Sequence, residues 1–346
     1  MSPKTSNRIR FVFLAGVCLR AGIAPVARGG VPDLQLGGLD QVVRVSSQPD
    51  GTGGRGSGSV FENIFHAPTD QRFLCVITAD HVVKDGVNGS IAFGNTPYGM
   101  NTGPFYKADY MALGQYKEIY VNGEFHKPDL AVMVVPVPDT PFFQTLDPLD
   151  LVEVNPEDHA FTGLGYGRTG ILTQVQTAAG GNRFAYLEME NAASSYGTQR
   201  FWNNTSEGLQ TDDWSLDSPY YYTALLTSID TPGGGGILGE GMGMRGDSGG
   251  PILVEDPQPV TLANGTAVAG FTRDIEAVFT RAVTPEDMLG NRFIADFGNV
   301  YAGVALIPEY IEWAYSECYS NVPEPSTLWL LAAGVIMLRR YRSRRG

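Results

Sequence analysis

The stretch Gly246-Asp247-Ser248-Gly249-Gly250-Pro251 decides how this chain of 346 residues is read. A serine with glycine on both sides is a candidate nucleophile. The glycines let the backbone turn sharply and let another chain approach it closely. Successive amide N–H groups around such a serine can converge on one developing oxyanion. The short form G-x-S-x-G is also a common surface turn in a chain with 43 glycines. The full six-residue string is far more restrictive.

A serine nucleophile needs a base, and order along the chain tests the possibilities. The four histidines are His66, His81, His126 and His159, and all precede Ser248. The order serine, acid, histidine of the α/β-hydrolases is therefore excluded, and the order histidine, acid, serine remains. His81 follows the apolar run Phe73 to Thr78 in the string Thr78-Ala79-Asp80-His81-Val82-Val83, a base carried on small residues beside a buried strand. His66 falls near the turn Pro68-Thr69-Asp70. His126 and His159 stand beside charged, proline-containing loops, and all three read as solvated surface residues. Asp129 opens the apolar strand Leu130 to Val135 and follows His81 by 48 positions. An acid there can accept a hydrogen bond from the imidazole and stabilise the imidazolium. Asp109 and Asp139 lack this context.

These strings resemble the chymotrypsin/trypsin-like serine proteases. Gly246 to Pro251 resembles the active-serine segment, and Thr78-Ala79-Asp80-His81 resembles Thr-Ala-Ala-His. Asp129-Leu130-Ala131-Val132 resembles Asp-Ile-Ala-Leu, and Phe161 to Gly167 resembles the Gly-Tyr-Gly segment that opens the second barrel. The resemblance implies an all-β fold of two six-stranded antiparallel β-barrels, the active site between them and a short C-terminal helix. It implies a secreted serine endopeptidase acting on protein or peptide substrates through an acyl-enzyme, with no cofactor and no metal. Ser248 is then the nucleophile, His81 the base and Asp129 its orienting acid. The N–H groups of Gly246 and Ser248 form the oxyanion hole, and Asp247 is buried in support of the loop. Met242, six before the serine, falls at the base of the primary specificity pocket and implies cleavage after apolar or small residues. Two cysteines of the family are replaced here, by Val82 after the histidine and by Met244 before the serine. No Arg followed by Ile-Val-Gly-Gly marks an activation site.

Composition independently favours an all-β chain. Short Val/Ile/Leu/Phe/Tyr runs alternate with Gly, Asn, Asp and Pro turns. The protease domain is expected over 36–320, the first barrel over about 36–145 and the second barrel and helix over about 146–320. Gln48 to Gly58 reads as a glycine-rich loop. Between Thr177 and Gly241 an insertion rich in aromatics (Trp202, Trp214, Tyr220, Tyr221, Tyr222) reads as packing over the second barrel or as a substrate-facing loop. Proline in the first turn and apolar spacing at Tyr310, Ile311, Ala314 and Tyr315 predict a helix. Cys75 and Cys318 either form one disulfide or sit apart as buried thiols.

The two ends differ from the body. Residues 1–27 read as a secretory signal, with Lys4, Arg8 and Arg10 ahead of the apolar run Phe11 to Leu19. Residues 322–346 hold Pro323-Glu324-Pro325, the apolar run Leu328 to Leu338 and five arginines, and resemble the PEP-CTERM sorting signal of Gram-negative bacteria. That resemblance implies export machinery and an exosortase as partners, a transient inner-membrane anchor, and release to the cell surface or extracellular matrix. The formal charge of −13 includes these basic ends. Residues 1–28 and 322–346 carry ten of the 24 basic residues and one of the 37 acidic ones, so the body between them has a net charge of −22. Such a body excludes nucleic acid as a partner. The alternative reading is a non-catalytic surface or matrix-binding protein on a protease-like fold.

Overall fold

The structure is a computed structural model. It describes residues 28–29, 31–32, 39–51, 53–84, 89–94, 104–167, 170–176, 182–188, 199–213, 220–228, 243, 246–261, 267–280, 288–289, 292–296 and 299–323. The signal segment, Met242, Met244, Trp214 and the sorting segment beyond Pro323 fall outside the described residues.

Two large antiparallel sheets form the body. The first contains β1 (Val42–Ser46), β2 (Arg55–His66), β3 (Gln71–Thr78), β4 (Ser90–Ala92), β5 (Tyr106–Lys107), β6 (Tyr110–Leu113) and β7 (Ala131–Pro138). Their order is β5-β4-β1-β2-β3-β7-β6. Only Ala108 and Asp109 separate β5 from β6. Ala108 N–H donates to Gly89 at 2.8 Å and Asp109 N–H to Val134 at 2.9 Å, so this bend draws the two edges of the sheet together.

The second contains β8 (Ala160–Gly165), β9 (Arg200–Asp213), β10 (Tyr221–Ser228), β11 (Pro251–Thr261), β12 (Ala267–Val278) and β13 (Asn299–Ala305). The order is β12-β11-β8-β9-β10-β13, and β13 pairs back onto β12 through Ala277–Ala305 and Val278–Val304. These six strands therefore close into a barrel. Among the described residues the α-helices are α1 (Asp80–Val83), α2 (Pro141–Thr145) and α3 (Pro308–Asn321). A smaller sheet pairs Gly170–Gln176, Asn182–Glu188 and Arg292–Asp296.

The apolar runs persist because both faces of the strands are covered. Val43, Val45, Val60, Leu74 and Val76 fill the first sheet's interior, while Val42, Phe61, Phe73 and Ile77 join a layer with Leu164, Phe201, Leu253 and Val304 of the second. Full burial of one such side chain is worth roughly 1.5–3 kcal/mol, against about 1 kcal/mol for a typical hydrogen bond. This shared layer therefore fixes how the two sheets meet, and the polar contacts at the site refine it. Trp202, Tyr220 and Tyr222 of the aromatic-rich insertion are buried, on or beside β9 and β10, so this part of the insertion is barrel wall.

Three expectations need correction. The glycine-rich loop ends earlier than its composition suggests, since β2 already begins at Arg55. α3 runs on to Asn321, past the apolar spacing that announces it, because Cys318 and Val322 are also buried. His66, His126 and His159 are not solvated. His66 and His126 are 5% and 3% exposed, and His159 binds a buried carboxylate. Their partners (Tyr310 for His126, Glu276 for His159) lie 184 and 117 positions away, where local context gives no sign of them.

Candidate active site

β3 ends at Thr78, and the chain turns through Ala79 into the single helical turn that carries His81. Asp129 stands two residues before β7, which pairs with β3 residue for residue from Ala131–Thr78 onward. That register brings the two side chains together. The backbone N–H of His81 donates to Asp129 Oδ1 at 2.9 Å, and Nδ1 lies 2.7 Å from Oδ2. Both oxygens of one carboxylate thus hold one histidine, which fixes Nδ1 as the protonated nitrogen and leaves Nε2 as the basic one. The imidazole is 28% exposed and the carboxylate 5%, so the ring is reachable while its partner is shielded.

Ser248 arrives from the second barrel in the turn ahead of β11. Gly246 and Gly249 have φ of 96° and 87°, a region that side-chain-bearing residues rarely adopt. A Cβ on Gly249 would lie 2.1 Å from both Ser57 O and Thr78 Oγ1, so this glycine is required for the approach to the first sheet. Ser57 on β2 receives the turn. Its N–H donates to Ser248 O at 2.7 Å and its hydroxyl to Gly246 O at 3.1 Å, while Tyr166 N–H donates to that hydroxyl at 2.9 Å. Gly56 sits beneath the same point, where an added Cβ would lie 2.6 Å from Ser248 O and 2.7 Å from Val82 Cγ2. Val82 follows His81, so the serine turn is seated against the helix that carries the histidine.

The Ser248 hydroxyl is partly exposed and donates to the carbonyl of Thr280 at 3.1 Å. Among the described residues, no acceptor meets the N–H of Gly246 or of Ser248. Asp247 is 1% exposed and accepts from Gly167 N–H at 2.6 Å. Arg200 donates through Nη1 to the carbonyl of the same Gly167 at 2.7 Å. Burial pushes the Arg200 guanidinium below its ordinary range, and the Asp247 charge pulls it back up. A buried cation of the chain itself thus sits beside Asp247.

His81 and Asp129 are in direct contact, and Ser248, Gly246 and Asp247 share the turn beside them. The residues that sequence reading missed are Ser57, Arg200, Thr280 and Asp80. For Ser57 a signal was present. Glycines at 54, 56 and 58, alternating along a strand, mark close approach of another backbone. Arg200 and Thr280 carry no local signal. Among the described residues no group of histidine, cysteine, aspartate and glutamate is disposed to hold a metal ion.

Comparison with known proteins separates the two parts of the chain. Residues 321–345 match the PEP-CTERM protein-sorting motif. This PEP-CTERM segment starts on the last residue of α3, so it follows the folded body without a spacer. No curated protein matches the chain. Solved structures resemble it only distantly. Protease Anisep from Arthrobacter nicotinovorans is 12% identical with a TM-score of 0.46, over 84% of this chain and 99% of that one. Human heparin binding protein is 11% identical with a TM-score of 0.44, over 86% and 97% of the two chains. HL collagenase is 14% identical with a TM-score of 0.42, over 84% and 97%. Among the described residues no helix is long and apolar enough to cross a membrane.

Proposed function

We propose that the chain is an exported serine endopeptidase. The observation that carries this reading is the doubly held His81, with Asp129 behind it, beside a tight turn with positive-φ glycines that presents Ser248. The Ser248 hydroxyl leaves the Thr280 carbonyl by rotation about χ1 and donates to Nε2 of His81. Oγ attacks the scissile carbonyl as the proton passes to His81, and Asp129 stabilises the imidazolium. The N–H groups of Gly246 and Ser248 receive the oxyanion. His81 then returns the proton to the leaving amine, and water attacks the acyl-enzyme by the reverse of these steps. Met242 is the specificity residue in this reading. A thioether offers nothing to a buried ammonium or guanidinium, so the enzyme cleaves after apolar or small residues.

The PEP-CTERM motif supports export by a Gram-negative bacterium to the cell surface and processing by an exosortase. The N-terminal segment 1–27 is the export signal, and Leu328 to Leu338 is a transient inner-membrane anchor. The test is casein hydrolysis by the exported body beside Ser248→Ala. The wild type cleaves, and the variant keeps its fold and loses at least three orders of magnitude in rate. A well-folded wild-type body that does not cleave casein favours the non-catalytic binding protein. Peptide-library cleavage dominated by sites after Lys or Arg overturns the role of Met242.

A further inference from the structure

Asp80, the residue before His81, is a fully buried carboxylate at the start of α1. The related Thr-Ala-Ala-His segment has alanine at this position. Asp80 Oδ2 accepts the backbone N–H of Gln115 at 2.9 Å, and Oδ1 accepts Gln115 Nε2 at 3.0 Å and Tyr220 OH at 3.3 Å. Gln115 belongs to the turn Gly114–Tyr116, which is itself closed onto the Asp129 segment. A Cβ on Gly114 would lie 2.2 Å from Pro128 O, and Gly114 N–H donates to Leu130 O at 2.7 Å. Tyr220 comes from the second barrel, one residue ahead of β10. One carboxylate therefore joins the histidine helix, the turn packed on the Asp129 segment, and the aromatic-rich insertion.

A buried carboxylate is costly to ionise, and among the described residues no cation forms an ion pair with Asp80. A small apolar residue would fill the start of a one-turn helix at less cost. The titratable groups acting on Asp80 are His81 of its own helix, Asp129 ahead of β7 and Tyr220 ahead of β10, and Lys84 Nζ lies 6.0 Å above the Tyr220 ring. We propose that Asp80 is a positioning residue of the site: it locks α1 against the Asp129 segment and the second barrel, and its negative charge favours the imidazolium that His81 becomes on taking the serine proton. This rests on the endopeptidase reading.

Burial lifts the Asp80 carboxyl to about 7, the Gln115 N–H works against that, and the Asp129 charge adds to it. The charge is thus present above neutral pH and absent in acid, and the contribution of Asp80 grows as pH rises. The test is kcat/KM of Asp80→Asn against wild type across pH. The wild type exceeds the variant about tenfold at about pH 8.5 and by less than about twofold at about pH 5.5, with KM little changed. Tyr220→Phe keeps the carboxylate and removes one donor, so it moves the ratio in the same direction by less. It also serves if the asparagine variant does not fold. A ratio constant with pH reveals a purely structural role, and equal activity at pH 8.5 removes any role; either overturns the proposal. A wild type without peptidase activity overturns the endopeptidase reading instead. NMR titration of the His81 ring then decides about Asp80. Coupling gives a broadened curve in the wild type and a single-site curve with a lower midpoint in Asp80→Asn, whereas superimposable curves overturn the proposal.

Discussion

Ser57 shows how a residue with no chemistry of its own carries the site. Its hydroxyl donates to Gly246 O and accepts from the buried N–H of Tyr166, and its backbone N–H holds Ser248 O. Ser57→Ala keeps the backbone bond and orphans the Tyr166 N–H. A buried donor left without a partner costs about 1–3 kcal/mol. The expected outcome is a loss of that size in chemical denaturation, with kcat reduced at least tenfold because the Gly246 end of the turn is loosened. Unchanged kcat in a folded variant would show that the turn holds its shape without Ser57. At this scale the sequence was readable where chemistry is local. His81, Asp129 and Ser248 stand out because each sits in a short diagnostic string. Arg200 does not, since its meaning depends on Gly167 and Asp247, which are distant in sequence and meet it only in the fold.

At the scale of elements, α3 ties the C-terminal end of the body to the first sheet. Cys318 is disulfide-bonded to Cys75 on β3, the strand that leads to His81. Glu317 receives Tyr110 OH at 2.6 Å and Lys117 Nζ at 2.7 Å, and Tyr310 OH meets His126 Nδ1 at 2.5 Å. The helix was legible at its start, where Pro308 and the spacing of Tyr310, Ile311 and Ala314 act locally. Its extent was not, because the last turns are apolar only at Cys318 and Val322 and are kept by contacts with β3 and β6. The pairing of Cys75 with Cys318 was left open by the sequence for the same reason, as two cysteines 243 positions apart carry no spacing signal. Cys318→Ala is expected to lower unfolding free energy by about 2–5 kcal/mol. Differential scanning calorimetry measures this, and a melting temperature equal to that of the wild type would show that the packing of α3 alone secures the end of the body.

Across the whole molecule, the arrangement into two barrels came from the resemblance of the short strings, whereas the all-β class was readable because short apolar runs alternate with turn residues. The β2 boundary was not, since Gly54 to Gly58 has loop composition on a strand that needs glycine for close approach. Long-range charge pairing was equally silent. His159 Nε2 lies 2.7 and 2.8 Å from the two oxygens of Glu276, which is fully buried, and Nδ1 lies 2.6 Å from the Glu157 carbonyl. The Glu276 hydrogen bonds and the Glu157 carbonyl raise the pKa of His159 despite its burial. A raised histidine contributes stability that is fully present below its unfolded value and lost as pH rises through the folded one. Stability is therefore expected to fall as pH rises from the ordinary histidine range through the raised folded value, by a step absent from His159→Gln. That variant leaves Glu276 without its cation, at a cost of about 3–5 kcal/mol in weakly acidic solution. Urea unfolding at a series of pH values checks both, and a pH dependence unchanged in the variant would assign the step elsewhere.

The central claim is that Ser248, activated by His81 and Asp129, is a nucleophile. The most direct measurement is labelling of the exported body with a fluorophosphonate probe, followed by mass-spectrometric mapping of the adduct. The account predicts one adduct, on Ser248, absent in Ser248→Ala and slowed at least a thousandfold in His81→Ala. A folded body that takes no label, or takes it on a residue other than Ser248, would contradict it.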